Sequence, residues 1–381
     1  MNGWERPNYY GPVDAPENFD HEARSFRRGG WWQYAVEEAK AIREGVGLID
    51  ATAFAKHRIS GPGATAFLDW FTTNKLPRVG RINLTYALTA AGTTRTEYTI
   101  VRLAENDYYL VSAGGWHAYD EDFLYKAIME KEAEFGRINE EDVTTKWGVF
   151  AIAGPKSRDV LNEIIKDPDP ATALSNKRFP WLSAKKIELG MCPVNAIRVA
   201  YTGELGWELH HPIEMQNYLF DLLEKAGEKH GMKLVGARAQ NWLRQEKSYR
   251  AFGTELGRDA TPMEADLPRF VDLEKDFHGK QAMLDKGIRS KCVTFLVDGP
   301  KDADPWGREV LYASDGTRVG RLTSGGYSVA FGKSIGLGYV RPEYAAVGTV
   351  LRVKMFDQLW DATIVEDSPY DPKNDTIRKD G

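Results

Sequence analysis

VNAIRVAYTGELGWELHH, residues 194–211, is the stretch on which the reading of this chain turns. Residues 194–200 are rich in β-branched and apolar side chains and read as a strand. The strand runs into a Tyr-Thr-Gly-Glu turn, where Gly203 lets main chain and ligand approach closely and Glu204 follows at once. Glutamate is seldom buried unless something donates to it. An enclosed Glu204 therefore asks for a partner such as a flat heterocycle with two adjacent N–H groups, whereas a solvated surface turn asks for none. A second polar motif, LRQEKSYRAFGTEL at 243–256, follows some thirty residues later.

Outward from that stretch the chain mixes helices and strands in one body. Helical spacing of apolar residues appears over 33–44, 116–135 and 213–230, the last entered after Pro212 and stopped at Gly231. Strands are predicted over 98–103, 108–113, 147–153 and 194–201, which makes the class α+β. An internal echo links ISGPGATAFL at 59–68 to IAGPKSRDVL at 152–161, each a strand end, a Gly-Pro turn and a helix start. Beyond residue 285 come short strands broken by Gly and Asp, at 292–297, 309–313, 318–323, 336–340, 349–356 and 360–365. That spacing predicts a small β-barrel or sandwich. The expected organisation is a two-part α+β region over 1–285, a barrel over 286–367 and a mobile polar tail over 368–381.

Composition narrows the function classes. With 381 residues, 42% hydrophobic and 28% charged, the chain has the make-up of a multidomain globular protein. Its net charge of -5 and scattered basic residues give no footprint for nucleic acid or an anionic membrane. Cys192 and Cys292 lie a hundred residues apart, which supports neither a disulfide framework nor a thiolate metal site. No leader-like or membrane-length apolar run occurs, so the expected location is the cytosol. The seven histidines form no HExxH or other ligand spacing, and no metal site is predicted. His210 and His211 would point to opposite faces of a strand. GxGxxG after a strand, the Walker A sequence and GxSxG are all missing, which leaves a bound organic cofactor to carry the chemistry.

An ordered set of motifs resembles one family. WERPNYY at 4–10, GLIDATAFAK at 47–56, IAGPKSRDVL, YTGELGWELHH, RQEKSYRAFGTEL, FHGKQAM at 277–283, TSGGYS at 323–328 and SPYDPKN at 368–374 together resemble the aminomethyltransferase family of the glycine cleavage T protein. They are most similar to the folate-binding carboxy-terminal part of dimethylglycine and sarcosine dehydrogenases. The resemblance implies a three-domain cloverleaf with a central opening for folate and a carboxy-terminal barrel. It implies that tetrahydrofolate is the cofactor, that Glu204 accepts the pterin N–H donors beside Tyr201, and that Glu97 in GTTRTEYTI is the acid near the reactive nitrogens, where relatives often carry Asp. Leu84, Tyr109 and Val111 would line the pterin slot, Arg244 would fix the site or the folate tail, and Tyr327 would sit in the loop that closes the opening. Two positions depart from the family pattern, Arg269 where an aromatic residue is common and Asp266 where a small one is.

The activity so implied is transfer of a methyl or methylene group from a small methylated amine, of dimethylglycine, sarcosine or betaine type, to tetrahydrofolate. A separate flavoprotein subunit would supply an oxidised donor, or the methyl would pass directly. Trp31, Trp32, Trp116 and Trp207 are the candidate faces for a cationic donor. The alternatives are an O- or S-demethylase acting on a methoxy compound or dimethylsulfoniopropionate, and a non-catalytic folate-binding accessory protein. Against the last stands FHGKQAM, which has no cysteine where the accessory proteins carry a reactive one.

Overall fold

The computed structural model describes residues 3–14 and 25–380. From α1 (Trp31–Glu44) and β1 (Gly47–Asp50) the chain passes to β2 (Ala55–Ser60), α2 (Ala64–Phe71), β3 (Ile82–Leu88), β4 (Thr94–Ala104), β5 (Asp107–Ser112), α3 (His117–Phe135) and β6 (Asn139–Asp142). It continues through β7 (Trp147–Ala153), α4 (Ser157–Ile164), α5 (Pro170–Ala173), β8 (Ala184–Leu189), β9 (Cys192–Ile197), β10 (Gly206–Pro212), α6 (Gln216–Glu228), β11 (Lys233–Leu234) and α7 (Ala237–Glu246). After α8 (Lys280–Lys286) come β12 (Lys291–Val297), β13 (Val310–Tyr312), β14 (Arg318–Ser328), β15 (Lys333–Val340), β16 (Val350–Met355) and β17 (Gln358–Val365).

The strands form a five-stranded sheet in the order β3-β4-β5-β2-β6, a six-stranded sheet in the order β11-β1-β7-β10-β9-β8, and a closed barrel β12-β15-β14-β13-β16-β17. Because β1 belongs to the six-stranded sheet yet precedes every strand of the other, the two α+β units are intertwined. Each sheet packs a helical layer on its outer face. Phe67, Leu68, Phe71, Tyr98, Ile100 and Leu110 fill the five-stranded unit, while Phe150, Leu161, Trp207, Leu209, Leu219 and Leu223 fill the other. A further apolar cluster of Ile82, Val101, Tyr109, Val111, Val143 and Ile197 lies where the inner faces of the sheets meet. The layers therefore run helix, sheet, sheet, helix, with a seam in the middle. Closure of the barrel leaves no free strand edge there.

The echoed Gly-Pro turns occupy equivalent places, β2 into α2 and β7 into α4. Gly61 and Gly154 have φ of +113° and +124°, and a Cβ on either would run into a backbone carbonyl, of Arg137 and Gly45 respectively, so glycine is required at both. Two expectations are corrected. The strand predicted over 194–201 ends at Ile197, because Val199 N turns back to Ile197 O at 3.0 Å and leaves the ladder. The tail is docked on the body instead of being mobile. Tyr370 N donates to Glu246 O (3.0 Å), Lys247 Nζ to Asp371 O (2.6 Å) and Thr376 Oγ1 to Gly203 O (3.2 Å), so its polar residues find partners in the protein.

Candidate functional site

Register decides which side chains share the seam. In the five-stranded sheet Tyr86 pairs with Glu97, Leu84 with Thr99, Thr99 with Val111 and Val101 with Tyr109. Directly paired residues of antiparallel strands point to the same side, so Leu84, Glu97, Tyr109 and Val111 all lie on one face. Tyr98, Ile100, Tyr108 and Leu110 take the helix-covered face. In β10 the alternation runs the other way, with Trp207 and Leu209 in the helix-side core. Glu208 and His210 face the seam, where Tyr109 Oη meets His210 Nδ1 at 3.0 Å. The two sheets are thus joined by a polar contact in the middle of an apolar seam.

Glu97 is the unusual group in this space. Its carboxyl keeps accessible surface, yet burial pushes its pKa up to about 8, with the Arg244 guanidinium pulling the other way. Among the described residues it meets no hydrogen-bond donor. Tyr86, its cross-strand neighbour, is wholly buried with an unpartnered hydroxyl. Tyr201 lies within electrostatic reach of Glu97 and Arg244, donates to Arg250 O (2.9 Å) and stacks on Tyr249 at 6.0 Å between centroids. An acid held near neutrality, beside unspent polar groups, suits proton transfer at physiological pH.

Glu204 stands elsewhere, in a buried ion cluster. Arg43 Nη1 donates to Glu204 Oε1 at 2.7 Å, and Tyr370 Oη donates to the same oxygen at 2.6 Å. The Arg43 guanidinium also grips Glu246 through Nε (3.0 Å) and Nη2 (2.5 Å) and lies 3.8 Å over the Tyr370 ring. Glu246 Oε1 in turn accepts from Ser328 Oγ (2.6 Å) and Ala330 N (3.0 Å) of the barrel. This cluster ties α1, α7, the 198–205 turn, the barrel and the tail together. Glu208, by contrast, has one polar partner among the described residues, His210 Nε2 at 3.3 Å. Burial pushes the His210 pKa down and favours the neutral ring, which accepts a hydrogen bond from Tyr109 at Nδ1 and donates one to Glu208 from Nε2. One Glu208 oxygen stays open to a donor in the seam.

The remaining sequence candidates divide. Arg244 is a strut between α7 and the barrel, donating to Glu255 (2.8 Å), Ser324 (2.7 Å), Asn241 (2.9 Å) and Tyr249 O (2.8 Å). Leu84 packs against the buried cluster that contains Tyr86, Leu88, Leu256 and Leu267. Tyr327 belongs to an aromatic cluster with Trp31, Trp32 and Trp242, capped by Arg28 and Arg238, and no contact joins it to Glu97. Trp207 is fully buried in a core and Trp116 borders a cleft. That cleft, of about 640 Å³, lies between the five-stranded unit and the barrel and is lined by Arg95, Trp116, Phe252, Glu255, Arg321 and Tyr339 among others, and by neither Glu97 nor Glu208. Arg269 lies over Phe270 at 4.8 Å, and Asp266 takes φ +61° and pairs with Lys291. Sequence reasoning missed Arg43, Tyr86, Glu208, Glu246 and Tyr370. For Glu208 a signal existed in the alternation Trp-Glu-Leu-His. The others depend on contacts between distant segments.

Comparison with known proteins gives a consistent picture. The GCVT N-terminal domain matches residues 1–275 and the glycine cleavage T-protein C-terminal barrel domain residues 291–371. The chain is 33% identical over 388 residues to the mitochondrial dimethylglycine dehydrogenase of Rattus norvegicus, covering 100% of this chain and 44% of that protein. It thus spans less than half the length of the dimethylglycine dehydrogenase it matches. A probable aminomethyltransferase of Thermococcus kodakarensis is 30% identical over 375 residues, with 90% of this chain and 91% of that one covered. Among solved structures, the aminomethyltransferase T of the Bartonella henselae glycine cleavage system superposes with a TM-score of 0.78 at 22% identity, over 92% of this chain and 91% of that one. Among the described residues no helix is long and apolar enough to cross a membrane.

Proposed function

This chain belongs to the glycine cleavage T-protein family, whose aminomethyltransferases bind tetrahydrofolate, and from that premise we propose that it transfers a one-carbon unit from a small methylated amine to tetrahydrofolate held in the seam between its two sheets. The observation that carries the reading is Glu97, a seam-facing carboxyl with no donor, held near pKa 8. The seam suits a pterin, because Glu97, Glu208 and the Tyr86 hydroxyl are polar groups left with unused hydrogen-bonding capacity among apolar walls. Tetrahydrofolate supplies the nucleophilic nitrogens that take up the one-carbon unit.

The protein's own groups divide the remaining work. Glu208 accepts from the pterin N–H donors, a role the pairing of Glu204 with Arg43 and Tyr370 makes unsuitable for Glu204. Tyr109 and His210 form a chain that holds the Glu208 carboxylate in place. Leu84 and Val111 exclude water from the ring faces. Glu97 takes the proton that the attacking nitrogen loses and stabilises the positive charge that builds there. An amine of sarcosine or dimethylglycine type becomes electrophilic only after losing a hydride, for which a separate flavoprotein is the acceptor. An onium donor such as betaine needs no oxidant.

The test is anaerobic incubation of the purified chain with tetrahydrofolate and, in turn, dimethylglycine, sarcosine, betaine, dimethylsulfoniopropionate and a methoxybenzoate, with the folate product identified by mass spectrometry. Methyltetrahydrofolate from one donor identifies that donor and a self-sufficient transferase. Folate binding without turnover assigns the oxidation to a flavoprotein, and no folate binding overturns the proposal.

A further inference from the structure

Away from the seam, two histidines and an aspartate that are far apart in sequence meet at one edge of the five-stranded sheet. His57 lies on β2 and is wholly buried, and the β2–β6 register sets it opposite Asp142. His117 is the first residue of α3, and its Nε2 is 3.1 Å from Asp142 Oδ2. The two imidazole rings are 5.6 Å apart between centroids. One ligand atom from each of His57, His117 and Asp142 can be chosen so that all lie within 4.8 Å of one another.

The surroundings of these groups are those of an ordered donor set. His57 Nδ1 is 2.8 Å from Glu140 Oε1, and since a carboxylate only accepts, the proton is on Nδ1 and Nε2 carries a bare lone pair. That Nε2 is buried and has no hydrogen-bond partner. An ion pair accounts for His117 with Asp142. It does not account for a buried imidazole whose second nitrogen is left unsatisfied, which is costly unless something binds there. A carboxylate on the far nitrogen of a ligating histidine is the usual second partner of a metal-bound imidazole, and Glu140 fills that place. Asp142 is held by Thr144, whose backbone N–H donates to Oδ1 at 2.9 Å, leaving Oδ2 for His117 or an ion.

We propose that His57, His117 and Asp142 bind a divalent transition-metal ion, with Zn²⁺ the best match to two imidazoles and one carboxylate. The side chains of His117 and Asp142 are 23% and 32% exposed, which gives the ion an entry path and leaves a fourth position for water. The ion fastens the start of α3 to the strand edge. That helix carries Asp120, which accepts from Arg95 and Thr96 of β4, immediately before Glu97.

The experiment uses the full chain after chelator treatment. Zn²⁺ is titrated in competition with a chromogenic chelator, bound metal is counted by elemental analysis, and the thermal midpoint is followed. One ion per chain with a raised midpoint is expected. His117→Ala and Asp142→Asn, both at partly exposed positions, should abolish tight binding and the midpoint shift while the metal-free midpoint reports that the fold persists. Glu140→Gln should weaken binding by about 10–100-fold. His230→Gln, at an imidazole that pairs with Glu163 and not with this cluster, should change nothing. Substoichiometric Zn²⁺, or binding that survives both His117→Ala and Asp142→Asn, would overturn the site.

Discussion

Glu204 and Glu208 sit four residues apart and differ in what neutralises them. Arg43 and Tyr370 satisfy Glu204, whereas Glu208 faces the seam with only a neutral imidazole for company. Glu208→Gln should therefore weaken tetrahydrofolate binding by about 10-fold or more, the loss of a charged hydrogen bond, as read by equilibrium titration. Glu204→Gln should leave that affinity close to wild type and lower the unfolding midpoint, since it strips a partner from a buried guanidinium. The opposite pattern would return the pterin to Glu204. For Glu97, substitution by Gln should cut turnover by about 100-fold or more while folate affinity changes far less. Acting as a base with a pKa near 8, Glu97 makes the wild-type rate rise with pH toward that value, and the Gln variant should lose that limb. A limb that persists would give the proton to another group.

At the level of elements, the tail is the unexpected part. Residues 368–381 read as a mobile polar tail, and nothing local in a run of Ser, Pro, Asp and Lys marks it as a docked strap. Its partners are the Glu246 carbonyl and the Lys247 ammonium at the end of α7, the Glu204 carboxylate of the 198–205 turn and the Arg43 guanidinium of α1, so it becomes ordered only when those elements are assembled. Tyr370→Phe removes one of the two donors to a buried carboxylate and should cost about 1–3 kcal/mol of stability, measured by denaturant unfolding. A midpoint equal to wild type would mean that the cluster does not need the tail. Strand and helix positions, by contrast, were legible, because apolar alternation and 3.6-residue spacing are local. The break of β9 at Ile197 was not, since Val199 continues the apolar run and only the backbone reversal ends it.

Across the whole molecule, the barrel is joined to the two-sheet body by buried charge. Arg244 of α7 pairs with Glu255 and Ser324, and Arg244 with neighbouring donors holds the Glu255 carboxyl below its ordinary pKa although burial pulls it up. A depressed carboxyl stabilises the fold above its unfolded pKa and loses that contribution as pH falls through the folded value, so Glu255 favours the assembly at neutral pH and not in acid. Glu38 and Glu97 act in the other sense. Burial raises them to about 7 and about 8, so the native state holds protons the unfolded state has released, and stability falls as pH climbs from about 4.5 toward those values. Thermal midpoints of wild type and Glu97→Gln should diverge from pH 6 to pH 8.5, with the variant the less sensitive to pH. Parallel curves would mean that Glu97 is ionised throughout.

The class of fold, the Gly-Pro turns, the carboxy-terminal barrel and the family motifs are all legible in the chain alone, because periodicity and turn chemistry act over a few residues. The Tyr-Thr-Gly-Glu turn also marked Glu204 as an acid worth explaining, and the family resemblance marked Glu97. Which acid is paired and which is open depends on the folded arrangement. The reason is electrostatic: a carboxylate's state depends on which cations and donors come within a few ångströms, and for Glu204 those are Arg43 and Tyr370, on segments that precede and follow it by more than a hundred residues. The same holds for His57, His117 and Asp142, whose spacing in the chain carries no ligand pattern and whose side chains meet only when β2, β6 and α3 close against one another.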